Sequence, residues 1–161
     1  MYRVMIVEDE KIIRTGIASV VSRFGSGFEV AWQCADAYAA WDLFQAEAPD
    51  LVITDIVMRG MSGLELARKI REAGSDVPLV ILSGYAEFEY ARSAIQLGVC
   101  EYVVKPLNVK QFTGLLARLE KKSAACAAAA AAHAAAADLA ALCRRVPQPC
   151  GQSYTQKPAL P

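Results

Sequence analysis

A doubly wound α/β fold is what this sequence predicts, and three observations carry the prediction. Short β-branched runs recur at Arg3 to Val7, Phe28 to Trp32, Leu51 to Thr54, Leu79 to Leu82 and Tyr102 to Val104. Their interval of about 22 to 28 residues is the length of one strand plus one crossover helix. Runs such as Leu51-Val52-Ile53 and Leu79-Val80-Ile81-Leu82 are apolar at every position, which fits a parallel sheet covered by helices on both faces. The stretches between the runs carry helical periodicity.

The first strand is followed by Ile13, Ile17, Val20, Val21 and Phe24, which share one side of a helix. Phe88, Ala91 and Ile95 repeat the pattern after the fourth strand, and Gly98 stops that helix. After the fifth strand, Asn108 is placed to cap a last helix whose inner face carries Phe112, Leu115, Leu116 and Leu119. Five βα units result.

Composition bounds the function. With 161 residues the chain fits one domain of ordinary size. Lys+Arg and Asp+Glu are equal at 17 each, so there is no electrostatic footprint for nucleic acid or an anionic membrane surface. The first apolar run meets Glu8 before it reaches signal-peptide or membrane-spanning length, and a cytoplasmic location is expected. The five cysteines, Cys34, Cys100, Cys126, Cys143 and Cys150, lack metal-ligand spacing and are read as free thiols.

The composition changes after Lys122. Of the 18 residues from Ala124 to Ala141, 14 are alanine, interrupted by Cys126, His133, Asp138 and Leu139. Alanine favours helix, so residues 123–142 are expected to form an Ala-rich helical extension. Residues 143–161 hold four of the seven prolines and are expected to be a disordered tail. His133 has no acid or cysteine partner at ligand spacing and is read as inert.

Chemistry concentrates where strands end. Glu8, Asp9 and Glu10 follow the first strand, Asp55 ends the third, Ser83 the fourth, and Lys105 follows the fifth. In a parallel sheet all these ends share one edge, and ligands bind where the strand order reverses. The order 2-1-3-4-5, adopted from flavodoxin-like sheets, puts that reversal between the first and third strands. Carboxylates crowded there need a compensating cation, and hard oxygens suit Mg²⁺. A carboxylate can attack a phosphoryl group, with Lys105 as a point charge and Ser83 as a hydrogen-bond donor.

Four motifs, Ile6-Val7-Glu8-Asp9-Glu10, Ile53-Thr54-Asp55-Ile56-Val57-Met58, Leu82-Ser83-Gly84-Tyr85 and Tyr102-Val103-Val104-Lys105-Pro106, resemble those of response regulator receiver domains of two-component systems. The resemblance covers residues 1 to about 120 and rests on several motifs in order at the right spacing. It implies that Asp55 is the phosphoacceptor and that a sensor histidine kinase is the donor. Asp9 would be a direct Mg²⁺ ligand, with Glu8 acting through a bound water and Val57 contributing its backbone carbonyl. Ser83 and Tyr102 match the switch positions, Lys105 the phosphate-contacting lysine, and Pro106 the proline whose preceding bond is usually cis. The implied readout is a surface of the fourth helix, fifth strand and fifth helix that recruits a partner or a second copy of the chain.

Ser83-Gly84-Tyr85-Ala86-Glu87-Phe88-Glu89-Tyr90 is closest to receivers joined to an arabinose-regulator-type DNA-binding domain. Two positions depart from the family pattern: Arg59 stands where proline is usual, and Ser62 where aspartate is common before Gly63. The 39 residues from Ser123 to Pro161 are too few for a double helix-turn-helix domain, so no nucleic-acid binding or transcriptional output is expected of this chain alone.

Blander readings compete position by position. Asp55 could cap a turn, the acidic triplet could stabilise a helix dipole, and Tyr102 could be core. Ser83 and Lys105 could be ordinary turn residues, but the set together favours the site. A dehalogenase-like Mg²⁺ phosphatase would typically have a second aspartate where Val57 stands. A flavin carrier would need a phosphate-cradling loop where the first turn is acidic. A phosphorylation-independent interaction module would not need Asp9, Asp55, Ser83 and Lys105 intact.

Overall fold

A computed structural model describes residues 1–24, 27–84 and 88–121. Strands and helices alternate as β1 (Tyr2–Val7), α1 (Lys11–Arg23), β2 (Phe28–Cys34), α2 (Ala37–Glu47), β3 (Leu51–Asp55), α3 (Gly63–Glu72), β4 (Leu79–Ser83), α4 (Phe88–Gln96) and β5 (Glu101–Val104). Residues 109–121 form a last helix, α5. All strand pairings are parallel, and the sheet order is β2-β1-β3-β4-β5. The predicted doubly wound fold is therefore the observed one.

The pleat explains why the central runs are apolar throughout. On one face Val4, Ile6, Leu51, Ile53, Val80 and Leu82 pack with Ile17 and Val21 of α1 and with Phe112, Leu115, Leu116 and Leu119 of α5. On the other, Met5, Val7, Val52, Leu79 and Ile81 pack with Ala37 and Ala40 of α2, Leu66, Ala67 and Ile70 of α3, and Ala94 of α4. Adjacent residues of one strand thus bury themselves in different layers, because the side-chain period is two. Each large aliphatic side chain fully buried this way stabilises the fold by about 1.5–3 kcal/mol.

Local chemistry sets the boundaries. Asn108 caps α5 as expected, with its Oδ1 accepting from the Lys110 and Gln111 amides at 3.0 and 3.2 Å. Gly98 follows α4 at φ +61°, a left-handed conformation that glycine adopts without a β-carbon clash. The fourth helix, whose predicted stop is Gly98, spans Phe88–Gln96. β2 runs two residues past the predicted Trp32. Its pairing with β1 slips after Val4↔Val30 to Met5↔Trp32, and Gln33 interrupts the β-branched pattern.

Among the described residues, no helix is long and apolar enough to cross a membrane. Cys34 and Cys100 are free thiols. The expected Ala-rich helix at 123–142, the tail at 143–161, His133 and the remaining cysteines lie outside the described residues.

Candidate functional site

Parallel topology brings the carboxyl ends of β1, β3, β4 and β5 to one edge, and their end-to-end hydrogen bonds fix the spacing. The Ile56 amide donates to the Leu82 carbonyl at 3.0 Å, and the Lys105 amide to the Ser83 carbonyl at 2.7 Å. The Glu8 amide donates to Cys34 at 3.1 Å. These bonds extend each strand pairing by one step and place the side chains that follow.

Glu8, Asp9 and Asp55 converge there, each offering a carboxylate oxygen within 4.8 Å of the others. Glu8 is fully buried, Asp55 is 6% exposed and Asp9 is half-buried. The Lys105 ammonium spans two of them, at 2.8 Å from Glu8 Oε2 and 3.0 Å from Asp55 Oδ2. The other Asp55 oxygen accepts from the Ile56 amide at 2.9 Å. Glu10, the third acid of the triplet, stays outside the cluster: it is exposed and is the N-cap residue of α1, without a side-chain capping bond.

Ser83 is fully buried at the end of β4, in register with Val104. Tyr102 pairs with Ile81 and packs against the core of the face that carries α2, α3 and α4. Val57, two residues past Asp55, has a 54% exposed side chain and begins the loop to α3. The Lys105–Pro106 peptide bond is cis.

Charge in the cluster is unbalanced, with three carboxylates facing one ammonium. Burial raises the Glu8 carboxyl above its ordinary range, and the Asp55 charge adds to this against the hydrogen bond and charge of Lys105. For Lys105, burial alone would lower the value. Hydrogen bonds to Glu8 and Asp55, together with their charges, outweigh it and hold the ammonium above the usual lysine range. Three converging hard oxygens with one neutralising cation fit a divalent ion such as Mg²⁺.

Several residues that frame this site carried no sequence signal. Gly63 opens α3 against the end of β3: its amide donates to Ile56 at 3.0 Å, and a β-carbon there would overlap the Asp55 carbonyl oxygen. The buried Thr54 hydroxyl donates to the same Asp55 carbonyl at 2.9 Å. Arg14 of α1 donates to the carbonyls of Glu8 and Asp9, the second at 3.4 Å. Ser62, one of the two departures from the family pattern, caps α3. Its Oγ accepts from the Glu65 amide at 3.2 Å, while Glu65 accepts from the Ser62 amide at 2.8 Å, a reciprocal capping box. The backbone and side-chain hydrogen bonds of Ser62 lower the Glu65 carboxyl below its usual value. A serine thus does the capping that an aspartate would do there.

Strand order, acidic cluster and bridging lysine define a receiver-type site, and the chain belongs to the response regulator receiver family, whose domain model matches residues 4–119. Curated relatives include the transcriptional regulatory protein YesN of Bacillus subtilis, 34% identical over 119 residues covering 74% of this chain and 32% of that protein. HptR, a transcriptional regulatory protein of Staphylococcus aureus, is 37% identical over 119 residues, covering 74% of this chain and 46% of its own length. The chain therefore spans about a third to a half of the curated relatives it matches. Among solved structures, the REC domain of AraT, a response regulator from Geobacillus stearothermophilus, is 32% identical with a TM-score of 0.68. That match covers 75% of this chain and 94% of that one.

Proposed function

We propose that this chain accepts a phosphoryl group from a sensor histidine kinase onto Asp55, with Mg²⁺, and so switches a protein-interaction surface in the cytoplasm. The observation that carries this reading is the Lys105 ammonium held between Glu8 and Asp55 in a cluster with Asp9. An Asp55 carboxylate oxygen forms the new bond to phosphorus. The bond from phosphorus to the donor's imidazole nitrogen breaks, and its electron pair stays on that nitrogen. Lys105 supplies positive charge to the transferred oxygens, and the Ile56 amide keeps Asp55 oriented. Asp9, Asp55 and the Val57 carbonyl would hold Mg²⁺, with Glu8 acting through water; the ion supplies neutralisation of the phosphoryl charge. The family match over residues 4–119 supports a receiver unit at 1–122.

Readout follows from Ser83 and Tyr102 on neighbouring strands: Ser83 ends β4 beside the site, and Tyr102 stands two residues back from the end of β5, opposite Ile81. Ser83 turns toward the new phosphoryl oxygens and Tyr102 rotates inward, changing the face built from α4, β5 and α5. That face then recruits a partner or a second copy of the chain. A phosphoryl group shifts this equilibrium only because it binds one state better, and its pull on Ser83 and Lys105 supplies the difference. Val57, where a dehalogenase-like phosphatase would carry its acid/base, argues against turnover of external phosphate esters.

NMR with beryllofluoride and Mg²⁺ tests the switch. Shifts are expected at the Asp55 loop and also at Tyr102 and its neighbours on β5, α4 and α5. Shifts confined to the Asp55 loop would refute it.

A further inference from the structure

Arg14 stands one turn into α1, and its guanidinium donates back to the carbonyl oxygens of Glu8 and Asp9. The ion pairs among the described residues use Arg3, Lys105 and Arg118, so Arg14 spends its charge on backbone oxygens and not on a carboxylate. Those two oxygens belong to the residues whose side chains make up two-thirds of the acidic cluster. The turn's other restraints act on the Glu8 amide and side chain: the amide bonds to Cys34, and the carboxylate takes Lys105 at 2.8 Å and the Glu10 amide at 3.4 Å.

We propose that Arg14 is a positioning residue for the divalent cation, fixing the Glu8 peptide plane, and more weakly that of Asp9, so that both carboxylates stay aimed at Asp55. This rests on the Mg²⁺ reading of the site. Its physical basis is preorganisation, which outweighs the repulsion between guanidinium and cation. The guanidinium binds backbone carbonyls and so leaves the carboxylate oxygens free for a metal. It holds in place carboxylates that repel one another before the metal arrives, so less ordering remains to be done on binding. Partners outside the coordination sphere commonly change metal affinity by about 10–100-fold when removed.

Mg²⁺ titration of the chelator-stripped chain, followed by NMR, tests this in the parent and in Arg14→Ala and Arg14→Lys. Half-saturating Mg²⁺ is expected to rise about ten-fold or more in Arg14→Ala. Arg14→Lys, which keeps a charged donor but loses the planar fork, should recover part of the loss. Labelling of Asp55 by a small phosphodonor should return toward the parent rate at saturating Mg²⁺, since Arg14 does not touch the phosphoryl group. Should Arg14→Ala fail to fold, Arg14→Lys and Arg14→Gln carry the comparison. A purely structural arginine would lower the metal-free melting temperature and leave half-saturating Mg²⁺ unchanged, and that result would overturn the proposal. A parent that neither saturates with Mg²⁺ nor labels at Asp55 would instead overturn the site reading itself.

Discussion

The two ends of β3 place unlike chemistry in equally dry surroundings. Leu51, Val52 and Ile53 at its start are buried among aliphatic neighbours on both faces, while Thr54 and Asp55 at its finish are buried and polar. The contrast extends across the sheet. All the buried polar or charged residues among those described, Glu8, Thr54, Asp55 and Ser83, lie at the carboxyl edge. Apolar burial stabilises the fold, whereas each buried charge must be offset by a partner. At this edge one lysine serves two carboxylates. The start of the strand holds the sheet together, and its finish is kept polar at a cost in stability that suits a site awaiting further positive charge.

Breaking the first half of that contrast should have the largest effect on stability. Leu51→Ala removes a side chain packed beneath α1 and α5 and should lower unfolding free energy by about 2–5 kcal/mol, measured by urea denaturation. Asp55 is four residue rises of extended chain further on, about 13 Å, so Mg²⁺ affinity should change by no more than about two-fold. A large loss of metal affinity in Leu51→Ala would show that the two ends are not independent.

How much of this was legible in the sequence follows the same division. Apolar runs and helical periodicity located every strand and three of the helices, because burial on two faces leaves an unbroken β-branched signal. Strand order was not readable from periodicity and had to come from a fold class. The β2 extension was missed because its register slips and its outer residues are polar. Asp9, Asp55, Ser83 and Lys105 were legible as motifs at strand ends. Arg14, Thr54 and Gly63 were not, since each acts through backbone atoms of a neighbouring residue and leaves no pattern of its own.

Glu8→Gln sharpens the second half of the contrast with a smaller effect. Burial raises the Glu8 carboxyl, so Glu8 favours the folded state while protonated, and that contribution is lost as pH rises through its raised value. At neutral pH the metal-free fold therefore carries this carboxylate against its preference. In chelator, Glu8→Gln should melt higher than the parent at pH 7, with the difference shrinking as pH falls below the ordinary carboxylate range. Added Mg²⁺ should stabilise the parent more than the variant and narrow or reverse the gap. Equal melting at every pH and metal level would mean that Glu8 is indifferent to its burial.

Labelling at Asp55 itself bears most directly on the account. The full chain is treated with a small-molecule phosphodonor, with Mg²⁺ or with chelator, and the modified residue is located by mass spectrometry in the parent and in Asp55→Asn. The parent should gain one phosphoryl group on Asp55 with Mg²⁺, lose that labelling in chelator, and show none in Asp55→Asn. Equal labelling of Asp55→Asn, or labelling of the parent that chelation leaves unchanged, would contradict the assignment of this edge as a metal-assisted phosphoacceptor site.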